Sequence, residues 1–542
     1  MSFAPESFKY GPKSTNTDHF RVFSVARDSF GAFIRLETLI LWKKMKWSFS
    51  LVVATVAIVT VAVDAVENPR IIVVGAGAAG IAAASRLYQK GFKNITILEA
   101  SQRLGGRIRT TPFGSGIVEI GAQWCHGEQG NVVYQLASVY RGLLKSSIIA
   151  DEDAVLIRSS GISVPEAVAE RLQAMAEGII ESEDRDTYEG SLGDFFTKKY
   201  WQALATPAFK DIPRELAEQF LVYYHNYERG YTAYDSWFEV AASETDSYVE
   251  PAGNQDIAWN GKKGFSSILD IVSGNFPGTK NTSLTPVPLS KLIAYGKFVS
   301  NIRWKGSADG DVIVTAQDGT TYEADNVIVT VSLGVLKENY KTMFTPALPT
   351  VNQKAITGLY FGTVNKIFLL FDAPIPEDFP NTVHLLWYKS DLTALRASPY
   401  AWAEAVSTFF RIDNQPNVLM AWMNGAEGRR AEYLRDAPIR DGVLHLLKIF
   451  AKNMKFGNVT GLLRSKWSSD RLFRGSYSSR SITTETLNTG ARQLGTPVRN
   501  AANEPVLLFA GEATNPVHYS TVHGALDSGF REANRLIRFY GA

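Results

Sequence analysis

The stretch Arg70–Arg109, RIIVVGAGAAGIAAASRLYQKGFKNITILEASQRLGGRIR, constrains this chain more than any other. A short apolar run, Ile71–Val74, leads into Gly75, Gly77 and Gly80 in the spacing G-x-G-x-x-G. A small-residue helical pattern follows over Ile81–Lys90, then a turn at Gly91, a second apolar run Ile95–Leu98, and Glu99. The first glycine permits a tight strand-to-helix turn, the second lets backbone approach a pyrophosphate, and the third lets the helix pack closely on the strand. Glu99 falls where a second strand ends, placed to accept hydrogen bonds from a ribose 2′-hydroxyl. The order strand, glycine turn, helix, strand, acid points to dinucleotide binding. It does not choose between NAD and FAD.

At 542 residues the chain has room for two or more domains with sizeable cores. A net charge of +2 makes no case for nucleic acid or a strongly acidic partner. The single cysteine, Cys125, excludes internal disulfides and cysteine-based metal clusters, and no metal site is expected. It reads as a buried, inert thiol.

Residues 1–44 show no sustained period and read as poorly ordered. Lys43, Lys44 and Lys46 then precede an uncharged run from Trp47 to Val63. From Met45 to about residue 66 this reads as a secretory signal peptide, with small residues suiting cleavage after Ala65. A signal anchor through 47–63 and a buried helix are the alternatives. Either membrane-related reading puts residues 70–542 outside the cytosol, secreted or anchored, and opens the sequons at Asn94, Asn281 and Asn458 to glycosylation. If the segment is unused, the protein is cytoplasmic.

Further along, Gly114–Gly130 is glycine-rich with a strand-like centre, and residues 165–220 read as amphipathic helices. Residues 223–256 hold seven acids against one Arg, interleaved with aromatics; a solvated loop and helix face is the plain reading. Val312–Thr315, a turn at Asp318-Gly319 and Asn326–Val331 give a hairpin signal. Ile367–Phe371 and Val418–Met423 read as further strands. Val506–Phe509, a glycine turn and a long helical pattern close the chain on a plan like that of the first motif.

Seven ordered pieces after about residue 70 resemble the FAD-dependent amine oxidases, and within them the polyamine and spermine oxidases. They are VVGAGAAGIAAA, LEASQRLGGRIRT, GAQWCHG, VIVTVSLGVLK, FGTVNKIFLLF, WSSDRLFRGSYS and FAGEATNPVHYSTVHGALDSGFREANRL. The resemblance implies an α/β chain with a Rossmann-type, glutathione-reductase-like FAD-binding domain and a second, α+β substrate-binding domain built from inserted segments. The first would comprise 70–150, 262–335 and 460–542, the second 151–261 and 336–459. FAD would be held by Gly75, Gly77, Ala78, Gly80, Glu99, Ala100 and Arg107, then by Gly121, Ala122, Gln123 and Trp124. Later contacts would come from Val331, Trp467, Gly511, Glu512, Thr521 and Val522. No cysteine stands near the C-terminal flavin motif, so the FAD is expected to be non-covalent.

The resemblance also assigns chemistry. Lys366 coincides with the family's lysine that holds a water at flavin N5, and a buried ammonium can order a water. Tyr477 matches one wall of an aromatic cage, where ring faces favour a cationic amine. At the opposite wall many relatives carry a second aromatic; here the position is Thr521, which departs from that pattern and leaves Tyr519 as a substitute. His126 matches a polar position touching the amine chain, a role weighed against that of a satisfied structural histidine. Glu250 and the other acids of 223–256 are candidates to anchor a distal ammonium.

The expected reaction is oxidation of a C–N bond in spermine, spermidine or their N-acetyl forms, with hydride passing to FAD, O2 reduced to H2O2, and an aldehyde and an amine released. A secreted L-amino-acid oxidase is the first alternative; it requires a cavity guanidinium to clamp a carboxylate, and the sequence does not identify one. A catalytically inactive flavin-bound binding protein is the second. Oligomeric state is open.

Overall fold

The computed structural model describes residues 68–149, 154–185, 187–243, 248–278, 284–304 and 311–542. The expectations for residues 1–44, the signal or anchor segment and Asn281 lie outside them. Among the described residues no helix is long and apolar enough to cross a membrane.

The first apolar run is a strand, Ile71–Val74, buried along its whole length. It sits inside a six-stranded sheet in the order Val498–Arg499, Pro505–Phe509, Asn326–Val329, Ile71–Val74, Ile95–Glu99, Ile293–Tyr295. The strands are parallel apart from Val498–Arg499 at the edge. Strands covered on both faces have no use for alternation, and these are near-continuous apolar runs. Ile71, Val73, Ile97, Ile328 and Leu508 point to one face, into a core shared with the helices Ala78–Gln89 and Val522–Phe539. Ile72, Val74, Leu98, Val327 and Phe509 point to the other. That face is covered by the four-stranded sheet containing Val299–Arg303 and by the helices Leu333–Met343 and Thr350–Gly358.

The hairpin expected between Val312–Thr315 and Asn326–Val331 pairs differently. Val312–Ala316 turns at Gly319 and pairs antiparallel with Thr321–Ala324, whereas Asn326–Val329 leaves for the parallel sheet beside Ile71–Val74. The burial patterns explain the exchange. Thr321–Ala324 is half-exposed, as a partner in an outer sheet should be, while Asn326–Val329 is buried throughout.

A second six-stranded sheet runs in the order Val459–Arg464, Val364–Phe371, Gln415–Asn424, Val406–Ile412, Thr382–Leu386, Val155–Arg158 and is mostly antiparallel. Ile367, Leu369 and Phe371 face a core closed by the helix Asp436–Phe450. Phe368, Val418 and Met420 face the other way, toward Val118, Ile120 and Trp467. By the two-residue period of a strand, Lys366 shares the Phe368 face. Three helices, Glu166–Ile180, Leu192–Leu204 and Arg214–Thr232, pack on one another at the Leu156 and Leu386 end of this sheet. Two stretches fall across the boundaries expected from sequence. Leu333–Met343 packs under the parallel sheet, and Val459–Arg464 pairs with Val364–Phe371.

Candidate active site

The carboxyl ends of the central parallel strands open onto a cavity of about 1500 Å³. Its first wall is the glycine loop. Gly75, at φ +105°, makes the turn out of the strand. A Cβ on Gly80 would stand 2.0 Å from the Gly75 carbonyl oxygen, so only glycine lets the helix sit this close. Gly80 therefore packs and does not line the cavity, whereas Gly77, Ala78, Glu99 and Ala100 do. The Ala78–Gln89 helix has no side-chain cap at Gly77, and its first-turn amides face the cavity end. Glu99 accepts hydrogen bonds from the Ala76 and Ser101 amides, both at 2.8 Å. Each carboxylate oxygen keeps a second lone pair, so the acid both fixes the loop and can receive a hydroxyl.

Arg107 does not stand as a lone guanidinium. Its Nη1 donates to Glu512 Oε1 at 2.9 Å and to the Ser476 carbonyl at 2.8 Å. Glu512, itself buried, accepts at its other oxygen from the Ser478 hydroxyl and the Ser520 amide. The Arg107–Glu512 pair thus joins the first motif to the last, and both residues border the cavity. Gly121, Ala122, Val331, Trp467, Gly511 and Val522 line the same wall. Cβ atoms added at Gly77 or Gly511 would meet nothing within 4 Å and would project into the opening. An extended dinucleotide such as FAD fits this wall: uncapped helix amides, two bare glycines and an acid beside the loop are arranged for a diphosphate and ribose.

Lys366, on the strand Val364–Phe371, lines the same cavity. Its Nζ donates to Gln123 Oε1 at 2.7 Å, to the Gly121 carbonyl at 2.8 Å and to the Glu119 carbonyl at 3.0 Å. The Trp422 and Trp124 rings lie 5.3 and 5.7 Å away. Burial pushes the amine down to about 7, against the pull of Glu119. Three acceptors use all three protons of an ammonium, so the protein holds the head in one place. Trp124 packs against Trp422 and Phe410.

Tyr477 also borders the cavity, its hydroxyl donating at 2.5 Å to the Gly230 carbonyl on the helix Arg214–Thr232. Burial moves its phenol well above the usual range. Thr521 reaches the cavity too, yet its hydroxyl is spent: it accepts from the Gly524 amide at 3.0 Å, capping the last helix, and donates to the His518 carbonyl at 2.7 Å. Tyr519 meets Tyr248 edge-on with centroids 5.5 Å apart. His126 is tied through Nδ1 to the Gln255 carbonyl at 2.9 Å and faces the cavity.

The plain reading of residues 223–256 as a solvated face holds only in part. Glu250 is exposed at the cavity margin, held there because the Val249 amide bonds the Val517 carbonyl. Glu177 and Glu181, also exposed, join it at the margin. Glu228 sits deep, bonded to Tyr224 one turn earlier, and burial pushes its carboxyl up to about 7 against the pull of Tyr224 and Arg185. Tyr224, Tyr227 and Tyr231 line the passage beside it. Sequence reading included Glu228 only as one of the candidate acids of 223–256 and did not name the buried Arg185, which also reaches the cavity. The available signal was the i, i+4 spacing of Tyr224 and Glu228, which puts both on one helical face. His523, 3% exposed, also lines the cavity, and its Nε2 has no hydrogen-bond partner among the described residues.

Comparison with known proteins agrees with this site. The family described as flavin containing amine oxidoreductase matches residues 78–537. The human peroxisomal N(1)-acetyl-spermine/spermidine oxidase is 32% identical over 513 residues, covering 88% of this chain and 96% of its own. Its bovine counterpart is 30% identical with the same coverage. The probable polyamine oxidase 5 of Arabidopsis thaliana is 28% identical and is covered over 99% of its length. A glycine-loop wall suited to FAD, a buried lysine and a match running through nearly all of the described fold lead to one assignment: the chain belongs to the flavin-containing amine oxidoreductases, and its cofactor is FAD.

Proposed function

We propose that the protein is an FAD-dependent polyamine oxidase that cleaves a C–N bond of spermine, spermidine or an N-acetylated polyamine. The observation that carries this reading is one continuous cavity lined by the buried Lys366, by Glu228 and by the exposed acids Glu177, Glu181 and Glu250. The parallel sheet and its glycine loop support a Rossmann-type, glutathione-reductase-like half for FAD, and the second sheet with its three helices supports a substrate half. FAD, when bound, supplies a two-electron acceptor that O2 can reoxidise with formation of H2O2.

The residues do the rest. Glu177, Glu181 and Glu250 at the margin draw polycations toward the opening. Glu228 receives a distal ammonium and fixes how far the chain enters, so that the C–N bond to be oxidised is set by length. Tyrosine faces along the passage favour the cationic chain. Tyr477, pinned through its hydroxyl, and the Trp124 and Trp422 rings exclude water from the reacting carbon. Lys366 holds its positive charge beside the carbonyls of 119–121 and serves the O2 half of the reaction.

Arg185 gives the L-amino-acid oxidase reading a cavity guanidinium, which keeps it as a second reading. Its acidic surroundings weigh against binding a carboxylate. The test is peroxide release by the purified protein with spermine, spermidine, their N1-acetyl forms and a set of L-amino acids, with the flavin spectrum recorded alongside. Turnover with one or more polyamines and none with amino acids is expected; the reverse pattern overturns the proposal.

We read residues 45–66 as a secretory signal or signal anchor, which makes the enzyme extracytosolic. Asn94 and Asn458 are exposed and lie in sequons. A mobility shift on endoglycosidase treatment of the protein from secretory cells is expected, and an unshifted cytosolic pool would reverse this reading.

A further inference from the structure

The three acceptors around Lys366 are all uncharged, and all come from the segment Glu119–Gln123. They fix the ammonium without neutralising it, and a buried ammonium lacking a counter-charge is costly. The residue that lends the first carbonyl also carries a carboxyl. Glu119 is turned away from the cavity, with Oε1 accepting from the Phe265 amide at 2.8 Å and the Thr110 hydroxyl lying 2.8 and 3.0 Å from its two oxygens. Among the described residues it is the charged group that acts on Lys366, the other neighbours being the Trp124 and Trp422 rings.

We propose that Glu119 is the positioning residue for Lys366: its carboxylate supplies the counter-charge to the ammonium from the far side of the 119–121 backbone and so sets the charge that Lys366 presents to the cavity. This rests on the reading of Lys366 as the group that serves O2. Burial pushes the Glu119 carboxyl up to about 7 and the Lys366 amine down to about 7, each drawing the other back toward its charged form. The pair therefore titrates as a unit near neutrality, and its protons belong to both groups. Negative charge builds on O2 as it takes electrons, so an ammonium nearby speeds that step and its loss slows it.

Glu119→Gln keeps the shape and an acceptor for the Phe265 amide while removing the charge. Lysine then has nothing opposing its desolvation and gives up its proton at lower pH. The measurement is the rate at which dithionite-reduced holoenzyme is reoxidised by O2 across pH 5.5–9, which needs no amine substrate. The rate is expected to fall through a limb near pH 7 in the natural protein. In Glu119→Gln the limb moves to lower pH by about one pH unit, and in Lys366→Met it disappears. Thr110→Val, which leaves Glu119 less able to ionise, moves the limb the same way by less and serves if the Gln variant folds poorly.

The pH dependence of the melting temperature is a second readout, independent of turnover. A carboxyl whose folded-state pKa is raised adds stability below its unfolded value of about 4.5, and that stability is lost as pH rises toward about 7. This falling arm should vanish in Glu119→Gln. An unmoved reoxidation limb in a flavin-loaded Gln variant, or a limb that survives Lys366→Met, overturns the proposal. If the limb shifts as stated and no polyamine is oxidised, the substrate reading fails while this one stands.

Discussion

At the residue scale the cavity separates groups that hold the architecture from groups to which the proposed reaction gives a role. Lys366 and Glu228 belong to the second kind, and each makes a distinct prediction. Lys366→Met should retain FAD and lower turnover by roughly a hundred-fold or more, with the loss in the O2 step, as stopped-flow reoxidation would show. In the role proposed for it, Glu228 would hold a distal ammonium only when ionised. Since burial pushes its carboxyl up to about 7, KM for a polyamine should rise as pH falls through that value. Glu228→Gln should raise KM by roughly 10- to 100-fold, the worth of a hydrogen bond to a charged group, and flatten its pH dependence while kcat changes less. A KM profile in the Gln variant that still bends near neutrality removes Glu228 from the role. Lys366 was legible in the sequence because the motif around it resembled a family's; by itself a lysine at a strand start reads as a solvated edge charge. Glu228 was legible only as one of the acids of 223–256, because its place in the cavity depends on how three helices pack, and an acid among tyrosines on a helix reads the same whether it faces solvent or a passage.

At the scale of elements, the last helix shows how one residue's apparent chemistry becomes an element's need. Thr521 stands where an aromatic wall was expected, and its hydroxyl caps Val522–Phe539. Thr521→Val keeps the shape at the cavity and deletes the cap, so it should cost about 1 kcal/mol in denaturant unfolding and leave KM nearly unchanged. A large loss of amine affinity at constant stability would return Thr521 to the binding site. The same helix lies against the first one through small residues: a Cβ on Gly529 would stand 2.3 Å from the Ala79 carbonyl oxygen. Gly529→Val should therefore force the helices apart, cost about 1–3 kcal/mol and lower flavin occupancy, since Ala79 adjoins the glycine loop. Flavin absorbance per protein reports the second effect. Strands and helices with strong periodicity were readable in advance, among them Ile71–Val74, Ile95–Glu99 and the helices Glu166–Ile180 and Leu192–Leu204, whereas Arg214–Thr232 runs past the helical stretch read over 165–220. The hairpin partner of Val312–Ala316 was misread because Asn326–Val329 is the more β-prone run, and its fully apolar character suits a strand covered on both faces.

At the scale of the whole molecule, the cavity wall for the cofactor is assembled from stretches far apart in the chain: the glycine loop near 75, the turn near 105, the segment 119–124, the loops near 331 and 467, and the start of the last helix. No single motif implied that meeting point; all seven motif stretches contribute residues to the lining of the one cavity. A ligand that touches all of them stabilises the folded state by mass action, about 2.7 kcal/mol at a hundredfold excess over its dissociation constant. Stripping FAD should thus lower the melting temperature, and adding FAD back should restore it in a concentration-dependent way. The attachment itself is also open to test. Cys125 borders the cavity, but its thiol is buried, takes a hydrogen bond from Asn131 Nδ2 at 3.4 Å, and is pushed up to about 12 by burial. A thiol so far from ionisation is a poor nucleophile toward a flavin ring. Precipitating the protein with acid should leave all the yellow colour in the supernatant, and the Cys125→Ser protein should carry the same FAD content. Colour that stays with the denatured pellet would mean a covalent link, which the environment of Cys125 argues against.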